Sequence, residues 1–492
     1  MVPLAALVGL WAATQSPAPV TNQWIQPANG PWPRYSIAVT PLDETMHYFL
    51  VVTKKPDGSL QAFVRNPESN AGSSLGTRTL LVDDGKLLFR CPGQPDVAGS
   101  TAGDTLTIGF PTREAVLTFH RVSPQELRWY FPRATSSWTY RRPTSGGDGW
   151  SVDTLADVGL RESPIAEVMQ AIVSLRSPTL RSPYIQSVAI ARHGRLVLDE
   201  YFYGFTPESP HDVRSAGKSV TTLMVGRAIE DSHRFSPQTP VLSFLPQYLP
   251  VGRDDPRKRR MTVANLMTMS SGLACDDNDE NSPGNEDTMQ AQTRQPDWYK
   301  YTLDLPIQYD PGSRAFYCSA GINLLGAIVS RATGLPLERY FYDRFALPMQ
   351  FQRYAMWLMP PPTNAAYMAG GDYFRPRDFL KFGQLFLSHG KWNGRQILDD
   401  GWLRDSVVTR TVMNEDAAGE GDRYGYGWHL ASLEINGRRY GVVNAGGNGG
   451  QIMAVVPDLD MAVMIMAGNY NQYPVWSAFL QQVVGAAIRA AT

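Results

Sequence analysis

The hydrophobic period of this chain changes twice, and that order of elements constrains its fold more than any single motif does. Short β-rich runs come first: Tyr48 to Thr53, Leu60 to Arg65, Thr79 to Val82, Lys86 to Arg90, Thr105 to Phe110 and Glu114 to His120. Pro56-Asp57-Gly58 and Asp83-Asp84-Gly85 read as hairpin turns among them. From Val220 to about Arg410 the pattern is mostly helical, broken by loops rich in Asp, Asn, Pro and Gly. Strand-like runs return at Tyr426 to Leu433, Arg438 to Val443, Gln451 to Val456 and Met461 to Met466, and Ala478 to Ala491 closes the chain as a helix. Strands that bracket helices, rather than alternating with them, predict an α+β fold.

The early runs predict a small all-β domain, an antiparallel barrel or sandwich for which a lipocalin-like arrangement is one analogy. Pro143-Thr144-Ser145-Gly146-Gly147-Asp148-Gly149 is the richest stretch of breakers and reads as the linker. The expected division is a signal or disordered tail over residues 1–20, a β-domain over 21–145 and a second domain over 146–492. The second domain opens with a helix whose Ile165, Val168, Met169, Ile172 and Leu175 form a packing face. A hairpin follows, Ile185 to Ala191 and Leu196 to Tyr203.

With 45 basic and 46 acidic residues, a net charge of -1 and no long run of either sign, the chain carries no footprint for nucleic acid or a membrane surface. The expected partner is a small molecule. Val2 to Ala13 is apolar and ends in small residues like an export signal, although no Lys or Arg precedes it; periplasmic or extracellular location is the expectation. No stretch approaches the roughly 18 apolar residues of a membrane span. The three cysteines, Cys91, Cys275 and Cys318, form no zinc pattern, and no metal or cofactor is expected. Cys275 and Cys318 either pair or remain buried thiols.

Where the helical pattern begins stands Arg214-Ser215-Ala216-Gly217-Lys218-Ser219. Ser215 sits at a helix start, and Lys218, three residues on, shares its face. A serine hydroxyl is a poor nucleophile, and a lysine amine within reach takes its proton if burial and neighbours lower the amine's pKa. The helix N-terminus favours negative charge developing there. The plainer reading of the same residues is a capping serine and a solvated lysine.

Three other stretches decide between these readings: Leu266-Met267-Thr268-Met269-Ser270-Ser271-Gly272-Leu273, the segment from Pro311 through Tyr317-Cys318-Ser319 to Gly326, and Asn444-Ala445-Gly446-Gly447-Asn448-Gly449-Gly450-Gln451. In this order the motifs resemble the serine β-lactamase and penicillin-binding-protein superfamily, most closely its class C β-lactamase-like branch with the β-lactamase-fold esterases. The resemblance runs from about Tyr184 to the C-terminus and leaves the β-domain outside. It implies a β-lactamase/transpeptidase-like fold, an antiparallel sheet flanked by helices with a helical subdomain. It also implies that Ser215 is the acylated nucleophile, Lys218 its proton partner, and Tyr317, first residue of the Tyr-x-Asn element, the general base or proton shuttle. Asn444-Ala445-Gly446 would take the place of an edge-strand element that is Lys-Thr-Gly in lactamases and often His-x-Gly in esterases. The backbone N–H groups of Ser215 and Gly447 would form the oxyanion hole, with Asn448 and Ser319 in the substrate-binding set. A phenol beside an ammonium has its phenolate stabilised, so Lys218 and Tyr317 are expected to exchange a proton near neutral pH.

Two departures shape the expected substrate. Ser319 stands where the family usually has Asn, and Asn444 where lactamases have the Lys that faces a β-lactam's carboxylate. A serine hydrolase of carboxylic esters or small amides is therefore expected. The alternatives are a β-lactamase or a penicillin-binding or D-amino-peptidase-like protein, and a non-catalytic binding or sensor protein that retains the fold. Arg214, Arg314 and His429 are candidates to supply charge from elsewhere. A phosphate-binding loop ending in Gly217-Lys218-Ser219 is excluded because Asp212 stands where its first Gly belongs. Val213 likewise excludes a Gly-x-Ser-x-Gly elbow. The acidic stretch Asp276 to Asp287 lacks the ligand order of a calcium loop and reads as a solvated pocket rim.

Overall fold

The computed structural model describes residues 7–15, 22–27, 37–41, 45–83, 85–110, 115–252, 255–414 and 421–492. The N-terminal part is a closed eight-stranded antiparallel barrel. Strands Met46–Lys54, Leu60–Arg65, Thr77–Asp83, Lys86–Arg90, Val97–Ala102, Thr105–Phe110 and Ala115–Arg121 follow one another around it, each paired with the next. Gly9–Gln15 closes the ring, with Trp11 opposite both Leu50 and Arg121. This is a correction: part of the run expected to be a signal or disordered tail is a barrel strand. Alternation sends Trp11, Leu50, Val64, Leu87, Phe89, Leu106, Ile108 and Phe119 into one buried cluster. Leu50, Val64, Phe89 and Ile108 line a pocket of only about 10 Å³.

The second part is the sheet flanked by helices that the resemblance implies, here a nine-stranded one. Its order is Ser151–Val152, Arg195–Tyr201, Ile185–Arg192, Met461–Ala467, Gln451–Val456, Arg438–Gly447, His429–Ile435, Asp422–Tyr424 and Thr411–Met413. The central strands are apolar on both faces because each face has its own core. Val188, Ile190, Ile452, Ala454, Val463 and Ile465 pack toward helices Glu162–Val173 and Gly485–Ala491. Their neighbours Ala189, Ala191, Met453, Val455, Ala462 and Met464 pack toward helices Gly217–Ser232, Ser319–Thr333 and Pro376–Leu387. Among the described residues, no helix is long and apolar enough to cross a membrane.

The two parts are joined more closely than a linker would require. Asn22–Pro27 and Ile37–Pro41 leave the barrel and extend a five-stranded sheet of the second part, pairing Asn22–Pro27 with Tyr354–Trp357. Arg65, wholly buried, lies 4.3 Å from the ring centre of Tyr184, 5.3 Å from that of Tyr130 and 5.5 Å from that of Tyr203. The breaker-rich stretch at 143–149 is itself anchored: Asp148 is buried and accepts from Arg377 Nε at 2.7 Å.

Candidate active site

Ser215 lies in a short 3₁₀ turn, Arg214–Ala216, that runs into the helix Gly217–Ser232. It does not cap that helix, since no side chain caps its start. Instead Ser215 Oγ accepts a hydrogen bond from Lys218 Nζ at 2.9 Å, and Nζ also donates to the Ala369 carbonyl at 2.6 Å. The solvated lysine of the plainer reading is 1% exposed. Lys218 Nζ stands 5.0 Å from the centre of the Tyr317 ring, whose hydroxyl interacts with Ser215.

The backbone around Ser215 is shaped by close approach. Arg214 has φ 48, in the left-handed region that a branched side chain avoids. Gly370 makes room for it: a β-carbon there would fall 2.8 Å from Arg214 C and 3.2 Å from Ser215 N. Gly447 packs from the other side, where a β-carbon would fall 2.3 Å from Val213 O and 3.2 Å from Ala216 N. Tyr317 is fixed through its successor, for Cys318 forms a disulfide with Cys275 across 43 residues, settling the pairing left open above. Cys91 is a free thiol.

These elements open into one cleft of about 1220 Å³. Ser215, Tyr317, Asn444, Gly446, Gly447 and Asn448 line it together. Besides the buried Lys218, two residues of the expected set lie off its walls. Ala445 points into the core, fully buried, because side chains alternate along its strand and Asn444 and Gly446 take the cleft side. Ser319 is also fully buried, its N–H and hydroxyl donating to Asp277 Oδ2 at 2.8 and 2.6 Å. Among the other candidates for charge, His429 lines the cleft with Nδ1 2.8 Å from Asp422 Oδ2, and Arg214 pairs with Asp212 at 2.7 Å. Arg314 lies over the Tyr309 ring at 4.7 Å. No group of three or more His, Cys, Asp or Glu among the described residues is placed to hold a metal.

The stretch Asp276 to Asp287 does form part of the rim, but it reaches further inward than a solvated loop. Asp277 lines the cleft, and burial together with the charge of Glu286 pushes its carboxyl up to about 6. Glu286 accepts from Tyr367 at 2.6 Å. Burial opposes the Lys218 ammonium, yet the charges of Tyr317, Glu286 and Asp277 outweigh it, and the amine is held above its ordinary value. Burial raises the Tyr317 phenol as well. Each group thus holds its proton above its ordinary value, a departure from the easy exchange near neutrality expected from residue types alone.

Against Gly217, Asp372 is wholly buried and neither carboxyl oxygen has a partner among the described residues. A β-carbon on Gly217 would fall 2.6 Å from Asp372 Oδ2, so the glycine in the Ser215-to-Lys218 motif clears space for this group. Burial, aided by the charge of Asp212, pushes its carboxyl up to about 8. The folded protein thus holds a proton that the unfolded chain releases near pH 4, and this contribution to stability fades as pH rises toward 8. Asp372→Asn, which cannot ionise, is expected to gain stability over the native chain progressively between pH 5 and 8. The difference should reach on the order of a few kcal/mol. Parallel urea melts at pH 5 and pH 8.5 test this, and an equal difference at both would mean that Asp372 does not hold its proton.

The chain belongs to the Beta-lactamase family, whose model matches residues 186–472, and it sits in the serine β-lactamase and penicillin-binding-protein superfamily of hydrolases. It is similar to the 6-aminohexanoate-dimer hydrolase of Paenarthrobacter ureafaciens, 25% identical over 284 residues, covering 55% of this chain and 69% of that one. Among solved structures, it resembles a Bacillus anthracis protein assigned as a 6-aminohexanoate-dimer hydrolase (TM-score 0.53, 18% identity, 75% of this chain and 95% of that one). It also resembles EstCE1, a hydrolase with promiscuous acyltransferase activity (TM-score 0.51, 19% identity, 68% of this chain and all of that one, 100%). At these identities the structural likeness speaks for the fold alone.

Proposed function

We propose that the protein hydrolyses small carboxylic esters or amides through an acyl-enzyme on Ser215. The observation that carries this reading is the 2.9 Å hydrogen bond from buried Lys218 to Ser215, closed over by Tyr317 at the floor of a large cleft. In this reading the Lys218/Tyr317 pair accepts the hydroxyl proton as Ser215 Oγ bonds to the acyl carbon. The backbone N–H groups of Ser215 and Gly447 receive the oxyanion. The pair returns the proton to the departing alcohol or amine, and water then releases the acid by the same steps in reverse order.

Asn444 presents a neutral amide to the cleft where a β-lactam's carboxylate would need a cation, which favours uncharged acyl groups. The walls are mostly polar, with Trp357, Tyr373 and Tyr470 among them as aromatic faces on which a small substrate can rest. A relative named for hydrolysing the 6-aminohexanoate dimer, and a similar structure with acyltransferase activity, are compatible with acyl transfer at this site. The Cys275–Cys318 disulfide supports an oxidising compartment, and so export.

The test is turnover of a chromogenic short-chain ester, with the Ser215 adduct followed by mass. Activity is expected to vanish in Ser215→Ala, and activity that persists there would remove Ser215 from the chemistry. A stable adduct with a fluorescent penicillin, without ester turnover, would move the protein to the penicillin-binding class.

A further inference from the structure

The barrel supplies none of the groups in the reaction above, yet its loop at residues 66–70 touches Gln186 and the segment 468–471, which in turn contact the backbone leading into Ser215 and the Gly447–Gly449 backbone. The loop is braced within itself. Asn66 Oδ1 accepts from Ser69 N at 3.0 Å and from Ala71 N at 3.3 Å, and Asn70 N donates to Asn66 O at 2.9 Å. Such a loop is a fixed support, and two paths lead from it to the site.

The first runs through Asn70, which is buried with φ 55 and donates Nδ2 to the Tyr470 carbonyl at 2.8 Å. Pro67 O presses on the same segment, where a β-carbon at Gly468 would fall 2.0 Å from it. The segment 468–471 in turn holds the backbone beyond Gly447. Asn469 N donates to Gly449 O at 3.0 Å, and Asn448 Nδ2 to Asn471 Oδ1 at 2.7 Å. Tyr470 also reaches the nucleophile's turn, its hydroxyl donating to Asp212 O at 3.2 Å and its ring centre lying 4.9 Å from the Arg214 guanidinium. The second path runs through Gln186, whose Nε2 donates to Pro67 O at 2.7 Å and whose Oε1 accepts from His211 Nδ1 at 3.0 Å. Burial drives the His211 imidazole down to about 3, so no charge develops on this path across the working pH range. His211–Asp212 is the strand that leads into the Ser215 turn.

We propose that barrel loop 66–70 sets the spacing between the Ser215 turn and the Gly447–Gly449 backbone, with Asn70 as its positioning residue. This rests on the reading of Ser215 as nucleophile and of Gly447 N–H as an oxyanion donor. Donors of this kind act as charge develops on the substrate oxygen in both acylation and deacylation, so their displacement slows the two steps together and lowers kcat while leaving KM in place. A shift of about 1 Å is enough to cost on the order of 100-fold.

The test uses the full chain with two variants. Asn70→Gly suits the left-handed backbone and deletes the donor, and Asn70→Asp keeps the shape but turns a carboxylate toward the Tyr470 carbonyl. The readouts are the rate of Ser215 labelling by a fluorophosphonate, followed by intact mass, the ester kcat and KM, and the melting temperature. Labelling and kcat are expected to fall at least about tenfold in both variants, with KM within about twofold; Asn70→Gly should melt within a few degrees of the native chain, and Asn70→Asp lower, because it buries a carboxylate beside a carbonyl. Labelling within about twofold of native by a folded variant, or a change confined to KM, overturns the proposal. A native chain that neither labels nor turns over ester overturns the hydrolase reading instead. If both variants melt below the assay temperature, Gln186→Met, which removes the bonds to Pro67 O and His211 Nδ1 on the second path, is judged by the same thresholds.

Discussion

Replacing Lys218 by methionine is expected to slow acylation of Ser215 by about 10³-fold or more, while the protein melts near its native temperature. Methionine keeps most of the buried stem's volume, so the change removes a charge and a proton carrier rather than packing. The amine bridges Ser215 Oγ and the Ala369 carbonyl, and without it the hydroxyl proton has no route to a group held 2.9 Å away. Intact mass after brief exposure to an activated ester reads this directly, and acylation within tenfold of native would remove Lys218 from the mechanism. The native chain supplies a second reading of the same pair. Because Lys218 and Tyr317 both hold their protons above their ordinary ranges, the reactive form is a minority that grows with pH. The value of kcat/KM is expected to climb from pH 6 to pH 9 without levelling. A plateau reached by pH 7 would mean that the two groups share a proton near neutrality after all.

The parts of this site legible in the sequence are those whose chemistry is local. Ser215 and Lys218 share one helical turn, and their meeting follows from helix geometry. Tyr317 required the order of motifs, since nothing near it announces that it will cover Lys218. The alternation that turns Ala445 into the core while Asn444 and Gly446 face the cleft was available from the strand pattern alone, and the expected set still included Ala445. Other features depend on pairs far apart in the chain. Gly370 is required by the Arg214–Ser215 backbone, and Asp277 meets Ser319 across 42 residues. In the barrel, Val97–Ala102 was missed because it is a strand of small residues, and its Gly99 is needed where a β-carbon would fall 2.4 Å from Thr107 O. Gly9–Gln15 was missed because an apolar strand and the core of an export signal have the same composition.

Asp148→Ala is expected to destabilise the fold by roughly 3–5 kcal/mol, because it removes one member of a buried ion network and strands its partners. The composition of 143–149 suggested a flexible linker, but its glycines serve close approach. A β-carbon on Gly146 would fall 3.2 Å from Arg377 Nη2, and one on Gly149 would fall 2.2 Å from Gln350 Oε1. Asp148 accepts from Arg377 Nε at 2.7 Å and Nη2 at 3.1 Å, and lies 3.6 Å from Arg375. Arg377 reaches on to Asp199 at 3.2 Å, Arg375 to Asp378 at 3.6 Å, and Lys381 to Asp378 at 2.7 Å. Three carboxylates thus face three cations at sites almost closed to water, and deleting one carboxylate leaves a net charge that the interior cannot solvate. The exposed pair of Arg195 with Asp153 at 2.9 Å is the internal comparison, and Asp153→Ala is expected to cost under about 1 kcal/mol. Urea denaturation of the two variants in parallel separates the cases. Equal midpoints would mean that the network stabilises no more than a surface pair, and that the stretch joining barrel to hydrolase is as loosely held as its composition suggests.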